Sequence, residues 1–391
     1  MKALWICPFR PFFFLTAFSA IFFIIIWVLG LNGFFPLPST LHPFVWHAYS
    51  IYSATLFAAV AGFMLTAIPE FTSTQNSTTP RVLKCLVFVW ILGRIAFQLI
   101  DFLSIFPAAF FDLSFLATIF YLTAPAIWQQ TPRKHTSFLF LQIALFSAVL
   151  AFYMALVVSP DSALKIIRIL CHLMMVLVIL AMSRISMRLM NDVLSRQANI
   201  HTSYIARPPK RALAIVAILL LCISEFLAPQ AEATLWLKIA AAAGVFHVLS
   251  DWHIGRAIFS RWTMMGYIAY FSIALGYLLE GFLPLFFDFA PLNIGLHLRT
   301  IAGCGLAILL VMCVAGRMHS GWGLDVRPWI IFAAIFIFAA ALLREIYSFL
   351  GFSFLIASAI FWCAAFLLYL IFSSHLFLKR PDGKSGCDDS N

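Results

Sequence analysis

Long apolar runs, broken by short polar or proline-marked stretches, recur along the whole chain, and this pattern predicts helices. Runs of about 18 residues or more suffice to cross a bilayer, because roughly 20 residues at 1.5 Å rise span the hydrocarbon. Twelve such runs are read, at about 12–34, 44–68, 82–106, 108–128, 136–158, 163–187, 211–229, 233–254, 262–285, 292–315, 328–349 and 352–377. The breaks fall at Pro36-Leu37-Pro38, the Thr/Ser/Asn stretch 72–79, Gln129 to His135 and Pro208-Pro209-Lys210-Arg211. Gly351 divides the last two runs. The predicted fold class is an all-α integral membrane protein of about twelve transmembrane helices. It forms one polytopic domain over 1–391 with a short tail at 380–391. The first run follows "MKALWICPFRP" and is too long and aromatic for a signal segment, so it is expected to be retained.

Composition supports the same class. Of 391 residues, 63% are hydrophobic and 10% charged, with a mean hydropathy of +1.01. Soluble domains carry about 25% charged residues and could not hide this much apolar surface. The net charge of +10 raises the question of nucleic acid, and the placement of the basic residues answers it. With both termini inside, about 19 of the 25 lysines and arginines fall on the cytoplasmic side, as the positive-inside rule requires. Orientation accounts for the charge without a nucleic-acid partner. The eight cysteines show no C-x-x-C spacing, so neither a zinc nor an iron–sulfur motif is read, and no disulfide framework is expected.

Ionisable residues at bilayer depth are costly and are candidates for function. His47 and His297 lie within about a turn of the outer ends of the second and tenth runs. His172 and His247 lie deeper, roughly 15 and 20 Å from the outer ends at 1.5 Å per residue. Neutral imidazole is a common ligand of heme iron and of copper, and a bis-imidazole heme needs two histidines at similar depth on different helices. His47 with His297 meets that condition, and His172 with His247 meets it less well. The plainer reading of each is a histidine bonded to a neighbouring carbonyl or hydroxyl. Asp112 and Arg94 are read as partners across the third and fourth runs. Asp101, Glu280, Asp288, Arg299, Arg344 and Glu345 gather toward the outer face, where they either pair or snorkel, snorkelling being the favoured account. In "SDWHIGR", Asp251 and His253 approach Arg256 at the inner boundary. No Walker-type glycine loop and no nucleophile elbow is present, so no catalytic motif identifies an enzyme.

Two segments carry a resemblance. "FRPFFFLTAFSA" from Phe9 and "WHAYSIYSATLFAAVAGFMLTAIPEFT" from Trp46 are similar to the NnrS family of bacterial polytopic membrane proteins. The family pattern runs close to Trp-His-Ala-His-Glu-Met, then Ala-Gly-Phe-Leu-Leu-Thr-Ala-Val-Pro-Asn-Trp-Thr-Gly. Trp46, His47, Ala48, Ala61, Gly62, Phe63, Leu65, Thr66, Ala67, Pro69 and Thr72 match it without a gap. Weaker likeness continues in "RISMRLMNDVL" from Arg184, "GYIAYFSIALGYLL" from Gly266, "LHLRTIAGCG" from Leu296 and "GRMHSG" from Gly316. The sequence departs from the pattern at Tyr49 and Ser50, where the family has His and Glu. It departs again at Tyr267-x-x-Tyr270 for His-x-x-Tyr, and at Gly321-Trp322-Gly323 for the closing Gly-His-Thr-Gly.

The resemblance implies a twelve-span protein of the bacterial inner membrane that carries heme and copper. It also implies an association with nitric oxide metabolism and nitrosative stress. His47 and His297 are the expected metal ligands, with His172 and His247 as further cofactor-binding candidates. Membrane lipids and nitric oxide are the expected partners. The departures leave fewer imidazoles, which bears most on copper. The competing expectation is a metal-free relative: a secondary transporter, or a structural membrane protein.

Overall fold

A computed structural model describes residues 2–74, 78–195, 203–287 and 293–378; the expected tail at 380–391, with His201 and Asp288, lies outside the described residues. Of the described residues 85% are helical, and none lies in a strand. Its long helices are α1 (Phe9–Leu31), α2 (Pro43–Thr72), α3 (Pro80–Gln98), α4 (Phe106–Gln129), α5 (Thr136–Val158), α6 (Ala163–Ser195), α7 (Pro208–Leu227), α8 (Glu232–Leu249), α9 (Arg261–Phe286), α10 (Leu298–His319), α11 (Trp329–Leu350) and α12 (Phe352–Leu378). Each corresponds to one predicted run. Ten are long and apolar enough to cross a membrane. The other two, α3 and α7, carry three charged residues each: Arg81, Lys84 and Arg94, and Lys210, Arg211 and Glu225.

Local chemistry sets the helix ends. His42 accepts a hydrogen bond from the Phe44 N–H and Thr79 from the Val82 N–H, each just ahead of a proline at the first helical position. Those prolines lose nothing, because the first turn's N–H groups have no helical acceptor. Ser73 closes α2 in the left-handed conformation, at φ 53°. Gly351 separates α11 from α12 at φ 99°, a conformation that costs glycine little. Two helices contain π-helical turns, Tyr52–Leu56 in α2 and Leu298–Gly305 in α10. Such turns insert a residue and rotate the helix face beyond them, and they occur often at functional sites. Both lie in segments that carried the family likeness.

The described chain divides into two compact units. The first comprises Met1–Ile167, Val311–Ile330 and Phe366–Asn391, and the second Arg168–Leu310 and Ile331–Ala365. In the first, α1 packs on α2, α2 on α4, α3 on α4 and α4 on α5. In the second, α7 packs on α8, α8 on α9 and α9 on the π-helical start of α10. Six cysteines are free among the described residues, and Cys7 is disulfide-bonded, which the scattered spacing did not lead one to expect.

In the first unit a carboxylate fastens two connections. Asp101 accepts from the Ser39 N–H and hydroxyl at 2.6 and 2.9 Å, and from the Thr40 N–H and hydroxyl at 3.0 and 2.6 Å. This is a clamp rather than the snorkelling group expected. The bonds from Thr40, then Ser39, hold its carboxyl well below the usual carboxylate range. A lowered folded-state value stabilises above the unfolded value of about 3.9 and is lost as pH falls through the folded one. Asp101→Asn is therefore expected to lower the thermal midpoint at pH 7, and the gap to wild type to persist to about pH 4 and narrow below it. Thermal melts of both proteins across pH 2–8 check this; a gap already closed at pH 5 contradicts it.

Candidate functional site: two buried polar clusters

In the first unit four successive helices each send one polar side chain to the same place. Asp112 of α4 is 1% exposed. One of its oxygens is ion-paired with Arg94 of α3. The other accepts from the Tyr49 hydroxyl of α2 at 2.8 Å and from the Tyr153 hydroxyl of α5 at 2.7 Å. The Arg94 guanidinium also lies over the Phe57 and Trp90 rings, 5.9 and 5.7 Å from their centroids. The sequence singled out Arg94 and Asp112 as partners, and the structure pairs them. It did not single out Tyr153, because a tyrosine in an apolar helix reads as packing, and it marked Tyr49 only as a departure from the family pattern. Tyr49 stands where the family pattern has its second histidine, and its hydroxyl is committed to Asp112.

In the second unit a larger cluster joins five helices at one end. His172 of α6 is fully buried. Its Nε2 lies 2.5 Å from Glu225 Oε2 of α7, and its Nδ1 lies 2.8 Å from the Tyr277 hydroxyl of α9. Since a carboxylate accepts, Nε2–H donates to Glu225, while Nδ1 is hydrogen-bonded to the Tyr277 hydroxyl. Lys238 of α8 lies 3.6 Å from Glu225 Oε1 and 3.6 Å from Glu280 Oε2 of α9. Arg299, in the first turn of α10, pairs with Glu280 through Nε and reaches its Oε2 from Nη2 at 3.4 Å. Its guanidinium also covers the Tyr277 ring at 4.8 Å. Arg168 of α6 reaches Glu225 Oε1 at 3.5 Å and Asn293 Oδ1 at 3.2 Å.

Small residues make this convergence possible. A Cβ at Gly281 would lie 2.6 Å from the Leu235 carbonyl and 3.0 Å from Lys238 Cβ, so α8 and α9 touch there. A Cβ at Gly276 would lie 2.6 Å from the Gly295 carbonyl and 2.8 Å from Arg299 Cβ. Helices in lipid associate largely by such close approach. Glu280 and Arg299, expected to snorkel, are instead 5% and 1% exposed and paired. Glu345 is also used differently, accepting from the Gly295 and Leu298 N–H groups at 3.0 and 2.9 Å. At the far end of this unit Asp251 pairs with Lys210 at 2.7 Å and Arg207 at 3.7 Å, while His253 bonds the Tyr267 hydroxyl at 3.2 Å.

The four histidines singled out by the sequence have different surroundings. His47, partly buried in the first unit, stacks on Trp27 with centroids 4.3 Å apart and planes 18° apart. The stack covers a ring face, whereas metal coordination uses the ring edge. His297, partly buried in the second unit, immediately precedes α10. His172 has both nitrogens bonded, so it does not fit as an axial heme ligand in this arrangement. His247 is exposed on α8, and its side chain joins no part of the cluster around His172. No group of three or more His, Cys, Asp or Glu side chains able to hold a metal ion occurs among the described residues.

No curated protein and no solved structure matches the chain. A family model does, described as NnrS protein, over residues 3–380. That match covers nearly the whole length, from the segment preceding α1 to the end of α12 and just beyond. The resemblance read from α1 and α2 thus extends along the chain, and the chain belongs to the NnrS family.

Proposed function

We propose that this chain is a multi-pass protein of the bacterial inner membrane that handles nitric oxide or protects against nitrosative stress. In this reading it holds a heme and acts without a catalysed reaction of its own. The family match over residues 3–380 carries the reading; family membership points to a nitric oxide-related role. The chain crosses the bilayer twelve times with both termini cytoplasmic. α3 and α7 cross despite their charges, because Arg94 and Glu225 are buried in pairs and the remaining basic residues sit near the helix starts.

The heme-ligand candidates are His47, in the first unit, and His297, in the second, each considered by itself; heme, when bound, would supply either an electron-carrying centre or an open position for nitric oxide. Trp27 fixes the plane of the His47 ring. The His297 backbone is flanked by two N–H groups that donate to Glu345, that of Gly295 just ahead of α10 and that of Leu298 at its first residue. The buried ionic cluster of the second unit supports one alternative, a metal-free membrane protein whose charges line a solute path.

Optical spectra separate the two. Protein purified after growth with ample heme supply is expected to show a Soret band that shifts on reduction and again with nitric oxide. His47→Ala and His297→Ala are each expected to change or abolish it. A well-folded, colourless protein supports the metal-free reading, and an unchanged band in both variants removes this pair as ligands.

A further inference from the structure

The ionic cluster of the second unit is an alternating chain: Arg299, Glu280, Lys238, Glu225, Arg168. Three cations face two carboxylates, an excess of one positive charge with His172 neutral. Its hydrogen bonding is also incomplete on the cationic side. Lys238 is 5% exposed, and its ammonium stands 3.6 Å from each carboxylate, beyond hydrogen-bond reach of both. Arg299 Nη1 is buried without a hydrogen-bond acceptor among the described residues. The carboxylates are well supplied by contrast, with His172 and Arg299 donating to them directly. Unused donors and surplus charge of one sign mark a place for an acceptor of the other sign, because a buried N–H or ammonium left unsatisfied is costly.

The fold also supplies an entrance. Arg168 and Arg299 lie near the starts of α6 and α10, Lys238 near the start of α8, and Glu225 and Glu280 near the ends of α7 and α9. The whole chain of charges therefore sits at one end of the unit. The Arg168 side chain is 40% exposed there, while the other four members are buried.

We propose that this cluster is a binding site for a singly charged anion, taken up past Arg168 and held by Lys238 and Arg299. The shared chemistry is one negative charge with compact acceptor atoms. It can come from a small inorganic anion or from a carboxylate on a larger ligand. This site needs no heme, so its failure and that of the heme reading are independent.

The test uses heme-free, full-length protein in detergent, at constant ionic strength balanced with sodium sulfate. Isothermal titration with sodium nitrite, sodium chloride and sodium formate is expected to give saturable one-site binding for at least one probe. Binding of nitrite or chloride identifies an inorganic anion; binding of formate alone identifies a carboxylate. Lys238→Gln removes the surplus charge and is expected to weaken binding about tenfold or more, the loss of one charge-assisted hydrogen bond. Lys238→Arg is expected to retain it. Should Lys238→Gln fail to fold, Arg168→Gln at the exposed end takes its place. The proposal is overturned if none of the three probes binds the folded wild type saturably. It is overturned equally if affinity is unchanged in the folded neutral variant.

Discussion

Asp112→Ala is expected to lose about 3–5 kcal/mol of stability, the cost of leaving a buried charge without its partner. Three groups depend on that carboxylate. Arg94 would keep its charge in a site that is 6% exposed. The Tyr49 and Tyr153 hydroxyls would lose their acceptor, at about 1–3 kcal/mol for each buried group left unsatisfied. The Phe57 and Trp90 rings offer partial compensation to the guanidinium, of order 0.5–2 kcal/mol, which does not cover the loss. A shift of that size is a large share of the net stability of an ordinary domain. The measurements are the monodisperse fraction after detergent extraction and the thermal midpoint. Removing the orphaned charge as well, in Asp112→Leu with Arg94→Met, is expected to recover much of the loss, because the two sites are directly coupled. A single variant within about 1 kcal/mol of wild type would mean that water reaches Arg94 and that the pair is not sealed.

The span pattern was legible because a bilayer imposes a length of about 20 apolar residues on any helix that crosses it. Proline and polar breaks were legible for a similar reason, since residues such as Thr79-Pro80 and Gly351 have few other uses inside such a chain. The Arg94–Asp112 pair could be read because two isolated charges stood at comparable depth on consecutive helices. Apart from the family match at His47, depth was the guide for the histidines, and there it falls short. It states how far along a helix a residue lies, not which face it occupies. His172 and His247 illustrate the difference, one sealed between Glu225 and Tyr277, the other exposed on α8.

Facing is normally read from amphipathic period. Helices bordered by lipid on one side and by other helices on the next are apolar on both, so the period fades. The same limit explains why Glu280 and Arg299 looked like snorkelling groups. Both lie close enough to a helix end to reach water, and the close approach of α9 to Gly295 and Arg299 at Gly276 is a contact between elements distant in sequence. Tyr49 was noticed as a departure from a family pattern, yet its bond to Asp112 depends on α4, far along the sequence. The π-helical turns in α2 and α10 gave no sequence signal, since an inserted residue changes register without changing composition.

Glu280→Gln is expected to destabilise the second unit by about 3–5 kcal/mol, as for other buried pairs that lose one charge, and the loss is expected to depend on the anion present. The amide carbonyl still accepts from Arg299, so the contact persists while its charge is gone. The excess of positive charge in the cluster then rises from one to two. A site that already favours a singly charged anion should favour it more, and ligand that binds only the folded state raises stability by mass action. Adding nitrite or chloride at constant ionic strength is therefore expected to raise the variant's thermal midpoint more than that of wild type. Combining Glu280→Gln with Lys238→Gln returns the charge balance to the wild-type value and is expected to remove the extra response. A destabilised Glu280→Gln protein with no greater anion response than wild type would show that surplus charge does not govern this site. The cluster would then be a packing device between α8, α9 and α10.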